Sequence, residues 1–171
     1  MTETAEQDHI DRWLEEIHDQ LPRLDLRVEG IVDRIGGINR RIKRMLDETL
    51  DEFDLSSGEW HALGSLSRAS GGRRTAGELA SKMELSSAAM TNRLDQLEKA
   101  GLVRRIPDER DRRAVQIEVT DAGRALYERT VDAQAAKEAI VAEALSVKQQ
   151  DELNALLRKL MLAFERREAE G

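Results

Sequence analysis

Only one stretch of this chain alternates with period two. Val115, Ile117 and Val119 point one way while Gln116 and Glu118 point the other, the pattern of a half-buried strand. Just before it stands Leu102-Val103-Arg104-Arg105-Ile106, with the polar segment Pro107 to Arg112 between them. Together they read as one β-hairpin with a long charged tip. Every other periodic segment repeats at three and four residues, the helical signature. The fold class is therefore mainly α with a small β-hairpin.

The first helical stripe is Ile10, Trp13, Leu14, Ile17 and Leu21, closed by Pro22. A longer one follows through Val28, Ile31, Val32, Ile35, Ile38, Ile42, Met45 and Leu46, ending near Phe53. Three helix starts carry a capping box: Ser56 with Glu59, Thr75 with Glu78, and Ser146 with Gln149. These signals predict helices over 56–69, 75–82, 86–100, 121–143 and 146–167. The loop Ser70-Gly71-Gly72-Arg73-Arg74 separates the first two.

A short capped helix, a brief turn, a second helix and a hairpin with an arginine-rich tip make a winged helix-turn-helix. The expected organisation is N-terminal dimerising helices over 1–54, the winged domain over 55–120, and C-terminal dimerising helices over 121–171. Ile10, Leu14, Ile17, Leu153, Leu157, Leu160 and Phe164 are the apolar residues expected in a homodimer core, because such stripes are not left in water on a lone protomer.

On a helical wheel at about 100° per residue, Met90, Leu94, Leu97 and Ser86 share one arc and face the domain. Ala88, Thr91, Asn92 and Asp95 face away, with Ser87 at the margin. Ser87, Ala88, Thr91 and Asn92, with Ser86 at the start of the helix, are thus the small and hydrogen-bonding candidates for contact with double-stranded DNA in a major groove. An ordinary solvated helix face carries the same residue types. The tip is more specific: Arg110, Arg112 and Arg113 stand among Asp108, Glu109 and Asp111. An arginine held out on a loop can enter a narrow minor groove, although such charges can also simply pair with one another.

Net charge is −7, which at first opposes a nucleic-acid partner. The charge is unevenly placed, however. Arg68 to Gln116 holds 11 basic and 7 acidic residues, a net of +4, against −11 for the remainder. A basic middle between acidic arms suits a local DNA footprint. There is no cysteine, and the three histidines form no cluster with metal-ligand spacing. No phosphate-binding glycine motif is present, so neither an enzyme nor a cofactor is expected. The acidic, polar start and the lack of a long apolar run predict a cytoplasmic protein with no membrane partner. A winged helix can also serve as a protein-interaction module, but its wing would then need apolar anchors, which this one lacks.

Ala100-Gly101-Leu102-Val103-Arg104-Arg105, Asp108-Glu109-Arg110-Asp111-Arg112-Arg113 and Val119-Thr120-Asp121-Ala122-Gly123 strongly resemble the MarR family of bacterial regulators. Thr75 to Met83 and Ser86 to Leu97 match its paired helices. The resemblance implies an obligate homodimer, with a recognition helix in each major groove and a wing in the flanking minor groove. The extra N-terminal helix with Trp13 looks like the urate-responsive, PecS-like branch. Carried over from that branch, the ligand-binding positions are Trp13, His61 following Trp60, Arg93 and Arg105. His61 departs from the pattern, standing where the branch has Asp.

On the wheel Arg93 falls beside the buried arc, so it points back into the protein. The implied function is a repressor released from a pseudo-palindromic operator by a small organic anion, bound between the dimerising helices and the winged domain. Loss of the Asp favours a more highly charged anion than urate, such as a tricarboxylate. The alternatives are a ligand-independent repressor, or an activator, of the same fold. In those cases Trp13 merely packs its helix, His61 is an interior histidine, and Arg93 pairs with an acid such as Glu59.

Overall fold

The structure is a computed structural model that describes residues 6–108 and 115–170. The chain divides into two units, residues 1–48 and 49–171. In the first, Asp8 starts helix α1 (His9–Ile17) by accepting from the backbone N–H groups of Ile10 at 2.8 Å and Asp11 at 2.9 Å. Arg34, on helix α2 (Leu26–Asp51), donates to Asp8 at 3.0 Å and also to Asp11. The Asp11 N–H and the Arg34 guanidinium together hold the Asp8 carboxyl down at about 2. Ile10 and Ile17 are buried. The helix stops at Ile17, short of the Leu21 end that the apolar stripe suggests, and Leu21 is exposed.

The second unit begins in the last turn of α2. Its elements are α3 (Ser57–Ser67), a 3-10 turn (Ser70–Gly72), β1 (Arg73–Thr75), α4 (Ala76–Lys82) and α5 (Ser87–Lys99). Then come β2 (Val103–Pro107), β3 (Val115–Val119), α6 (Asp121–Glu138), α7 (Ile140–Ala144) and α8 (Val147–Glu170). The three capping boxes form as the sequence predicts. The Glu59, Glu78 and Gln149 side chains accept from the N–H of Ser56, Thr75 and Ser146 at 2.9, 2.7 and 2.9 Å.

The expected hairpin is the larger part of a three-stranded antiparallel sheet in the order β1-β3-β2. Strand β1 stands where a plain loop was expected. Gly71 and Gly72 both adopt positive φ, 68° and 67°, a region glycine enters without steric cost. They turn the chain so that Arg73 pairs with Glu118 and Thr75 with Gln116. The predicted 121–143 helix is also interrupted, at Ala139, where no glycine or proline marks the break.

The core beneath the sheet is formed by Leu63, Leu66, Leu79, Met90, Leu94, Leu97 and Ile117. Helix α5 ends in a Schellman motif: Gly101 has φ 73°, and Leu102 N–H donates to Leu97 O at 2.9 Å. Thr120 caps α6, accepting from Gly123 N–H at 3.0 Å and donating to Gly101 O at 2.8 Å. A Cβ on Gly123 would collide with the Leu102 carbonyl. The Ala-Gly-Leu and Thr-Asp-Ala-Gly motifs are thus the two sides of one close joint between α5, β2 and α6.

Candidate nucleic-acid interface

Helices α4 and α5 are joined by Met83 to Ser86. Ser86 is the N-cap of α5, accepting from Ala89 N–H at 3.2 Å. Its hydroxyl is therefore committed to the helix start, and the residue is exposed rather than turned inward as the wheel places it, because an N-cap lies outside the helical spiral. Ser87, Ala88, Thr91 and Asn92 are also exposed, and Met90, Leu94 and Leu97 are buried against the domain. The Thr91 hydroxyl donates to Ser87 O at 2.8 Å, which fixes its rotamer. What α5 presents at its N-terminal half is a low, polar, preorganised surface.

In the wing, Glu118 faces a position that alternation assigns to solvent, yet it is buried. It bridges the sheet, accepting from Arg73 of β1 at 2.6 Å and from Arg104 of β2. Both are its direct cross-strand partners. The two guanidiniums, Arg104 first, hold its carboxyl below the usual glutamate range. The sequence carried one signal for this triad, an acid in a strand flanked by arginine-bearing segments. Finding it required β1, which period alone does not reveal. At the outer end of the described hairpin, Gln116 donates to Asp108 at 2.5 Å. Arg110, Arg112 and Arg113 lie outside the described residues.

The four residues proposed for an anion are distributed as follows. Arg93 is half-buried and leaves α5 on the side of α3, where its guanidinium lies so close over Gly58 that any Cβ would collide with it. It makes no ion pair or hydrogen bond among the described residues, so Glu59 is not its partner. His61 lies one turn beyond Gly58 on the same face of α3. It is exposed rather than interior, with Nδ1 2.6 Å from Ser57 O. A carbonyl only accepts, so Nδ1 carries the proton and Nε2 is left to accept in the neutral ring.

Arg105 is not brought to Arg93. It donates to Asp95 at 2.6 Å and to Glu98, and both pairings raise its pKa. Those acids follow Arg93 by two and five residues, about 140–200° around the helix. Trp13, in the unit of residues 1–48, is partly exposed.

No group of histidines and acids that could hold a metal occurs among the described residues, and no described helix is long and apolar enough to cross a membrane. The MarR family profile matches residues 55–115. Over 154 residues the chain is 30% identical to the HTH-type transcriptional regulator PecS of Dickeya dadantii, covering 90% of each. It is 27% identical over 114 residues to the HTH-type transcriptional repressor MdtR of Bacillus subtilis, covering 67% of this chain and 70% of that one.

Among solved structures, a MarR family protein from Bacillus stearothermophilus matches at 26% identity with a TM-score of 0.70, covering 83% of this chain and 99% of that one. A mutant of S. aureus MepR, bound to an oligodeoxyribonucleotide, shares the fold with a TM-score of 0.61 at 24% identity, covering 78% and 97%. The chain belongs to the MarR family of DNA-binding, winged-helix transcription regulators.

Proposed function

We propose that this regulator is a homodimeric repressor that leaves a pseudo-palindromic operator when a small organic anion binds beside Arg93. In this reading Ser87, Ala88, Thr91 and Asn92 read the major groove, with Ser86 setting the start of their helix. Arg110, Arg112 and Arg113 supply the minor-groove contact. The second copy is held through the exposed apolar face of α8, where Leu153, Leu157, Leu160 and Phe164 recur at four- and three-residue steps, the spacing of a helix–helix seam.

The observation that carries the ligand is Arg93. A half-buried guanidinium has five donors and no acceptor of its own, and this one lies against the first turn of α3 with no acid paired to it among the described residues, the Glu59 carboxylate of that turn being taken up by Ser56. The N-terminal turn of a helix already favours negative charge, so a cation placed there leaves an anion-favouring site. His61 adds a polar ring one turn along the same exposed face of α3, its Nδ1 held by Ser57 O at 2.6 Å. Trp13 belongs to the other unit and Arg105 is engaged by acids, so the site proposed here rests on Arg93, Gly58 and His61.

Arg93 projects from the recognition helix itself. A ligand pulling on it moves that helix, and two such helices must match grooves about 34–36 Å apart. A coupling of about 1–3 kcal/mol lowers DNA affinity roughly 5- to 150-fold.

The test is a thermal-shift screen of citrate, urate and aromatic carboxylates, followed by DNA release with the hits. A hit present at about 100 times its Kd stabilises the protein by about 2.7 kcal/mol. Arg93→Ala is expected to keep DNA binding and lose the response. An Arg93→Ala protein that responds normally would reject the site.

A further inference from the structure

Arg105 is gripped at three points. Its backbone N–H donates to Glu98 Oε1 at 3.0 Å, its Nη1 to the other Glu98 oxygen, and its Nη2 to Asp95 at 2.6 Å. Strand β2 is an edge of the sheet, so its outward N–H groups have no neighbouring strand. Glu98 supplies what a strand would, and the same carboxylate takes the Arg105 side chain. A planar guanidinium held by two carboxylates is fixed in direction, because its donors form a rigid fork.

The position of Asp95 makes this more than a surface pairing. It stands four residues after Thr91 and three after Asn92, one turn along the same exposed stripe of α5. A bare carboxylate there would face DNA phosphates. Both acids remain accessible, with side-chain exposures of 53% for Asp95 and 36% for Glu98. On a helix that faces DNA both carboxylates repel phosphate, and their pairing with Arg105 is an interaction that can offset that repulsion.

We propose that Asp95, Glu98 and Arg105 are positioning residues that lock the first strand of the wing to the recognition helix. Major-groove and minor-groove contacts are thereby held at one fixed separation. The proposal rests on α5 being the recognition helix of a DNA-binding protein. None of the three need touch a base; their effect is to make the helix and the wing engage a site together.

The sign of one substitution separates this from simple electrostatics. Asp95→Asn removes a negative charge from the DNA-facing side, which by charge alone tightens binding to any duplex. A broken clamp instead weakens binding to the preferred sequence. The probes are a duplex selected by the wild-type dimer from a random-sequence pool and an unselected duplex of equal length. Affinities are measured over a salt titration for Asp95→Asn, Glu98→Gln, Arg105→Gln, Arg105→Lys and the Asp95→Asn/Arg105→Gln pair.

The clamp predicts a loss of about 3- to 30-fold for Asp95→Asn on the selected duplex. Binding to the unselected duplex should be unchanged or tighter, and the double variant should be no worse than Arg105→Gln alone. Arg105→Lys keeps the charge but cannot fork to two acids, so it should also lose selected binding with an unchanged salt slope. Thermal melts within a few degrees of wild type would show that the loss is not unfolding. Asp95→Asn and Glu98→Gln proteins that bind the selected duplex as tightly as wild type, or more tightly, would overturn the clamp. A wild-type protein that selects no sequence at all would overturn the DNA-reading assignment and the clamp with it.

Discussion

The winged region and helix α8 contain the same kinds of apolar side chain and treat them in opposite ways. From α3 to β3, Leu63, Leu66, Leu79, Met90, Leu94, Leu97 and Ile117 are all 1% exposed or less. Along the 24 residues of α8 none is buried, and Leu157 and Leu160 are each 40% exposed. The first region satisfies its apolar pattern with its own chain. The second has a seam-like stripe that no described residue of its own unit buries, the pattern expected of the proposed contact with another copy.

The largest expected effect breaks the second region and leaves the first intact. Leu157→Asp with Leu160→Asp places two charges in the proposed seam, where burying an unpaired charge is far costlier than keeping it hydrated. Sedimentation at micromolar concentration should show monomer in place of dimer, and operator binding should be lost. Circular dichroism should still report the helices of residues 55–138. A variant that remains dimeric would mean that α8 does not carry the interface.

The converse substitution strikes the self-sufficient region. Leu94 is 1% exposed on the inner face of α5, and its truncation leaves a cavity that the sheet and helices cannot fully close. Leu94→Ala should destabilise by about 2–5 kcal/mol in a denaturant melt. A loss below about 1 kcal/mol would mean that the core around α5 is looser than its burial indicates.

The same contrast explains what could be read in advance. Caps are local chemistry, so Ser56, Thr75 and Ser146 marked their helices within a residue or two. The inward arc of Met90, Leu94 and Leu97 followed from one period, and so did the direction of Arg93. Strand β1 was missed because three residues carry no period, and its existence depends on a partner 45 residues away. The burial of Glu118 was missed with it, since alternation treats an acid as a solvent marker and cannot see two arginines arriving from neighbouring strands. Arg105 was assigned by resemblance to a ligand. What its side chain meets is decided by Asp95 and Glu98, which a position-by-position match does not consult.

The Glu118 triad gives a smaller, pH-dependent effect in the self-sufficient region. Its carboxyl is held below the ordinary value of 4.5 by Arg104 and Arg73. A lowered carboxylate contributes fully above its unfolded pKa and loses that contribution as pH falls through the folded one. Stability measured by thermal melts should therefore decline below about pH 4.5, and Glu118→Gln should flatten that decline while lowering stability at neutral pH. An unchanged acid limb in the variant would mean that the triad does not tie the three strands together.

The smallest effect compares the two helix ends within the helix-turn-helix. Helix α5 closes at Gly101, φ 73°, with Leu102 N–H on Leu97 O at 2.9 Å. Helix α4 closes in the same way at Glu84, φ 52°, with Leu85 N–H on Ala80 O at 2.9 Å. The same motif is thus built once with glycine and once with a residue whose Cβ crowds its own carbonyl. Left-handed backbone costs a non-glycine residue about 1–2 kcal/mol, and glycine loses about 0.5–1 kcal/mol more on folding through its freer unfolded chain. Glu84→Gly should therefore stabilise by about 0.5–1 kcal/mol, a rise of a few degrees in Tm, and Gly101→Ala should lower it. Because Glu84 sets where α4 hands over to the recognition helix, DNA affinity is a second readout. A Glu84→Gly protein that melts higher and binds DNA unchanged would identify the strain as incidental. One that melts higher and binds less tightly would show that the turn is held open for the helix that follows, and a lower Tm would sink the comparison of the two ends.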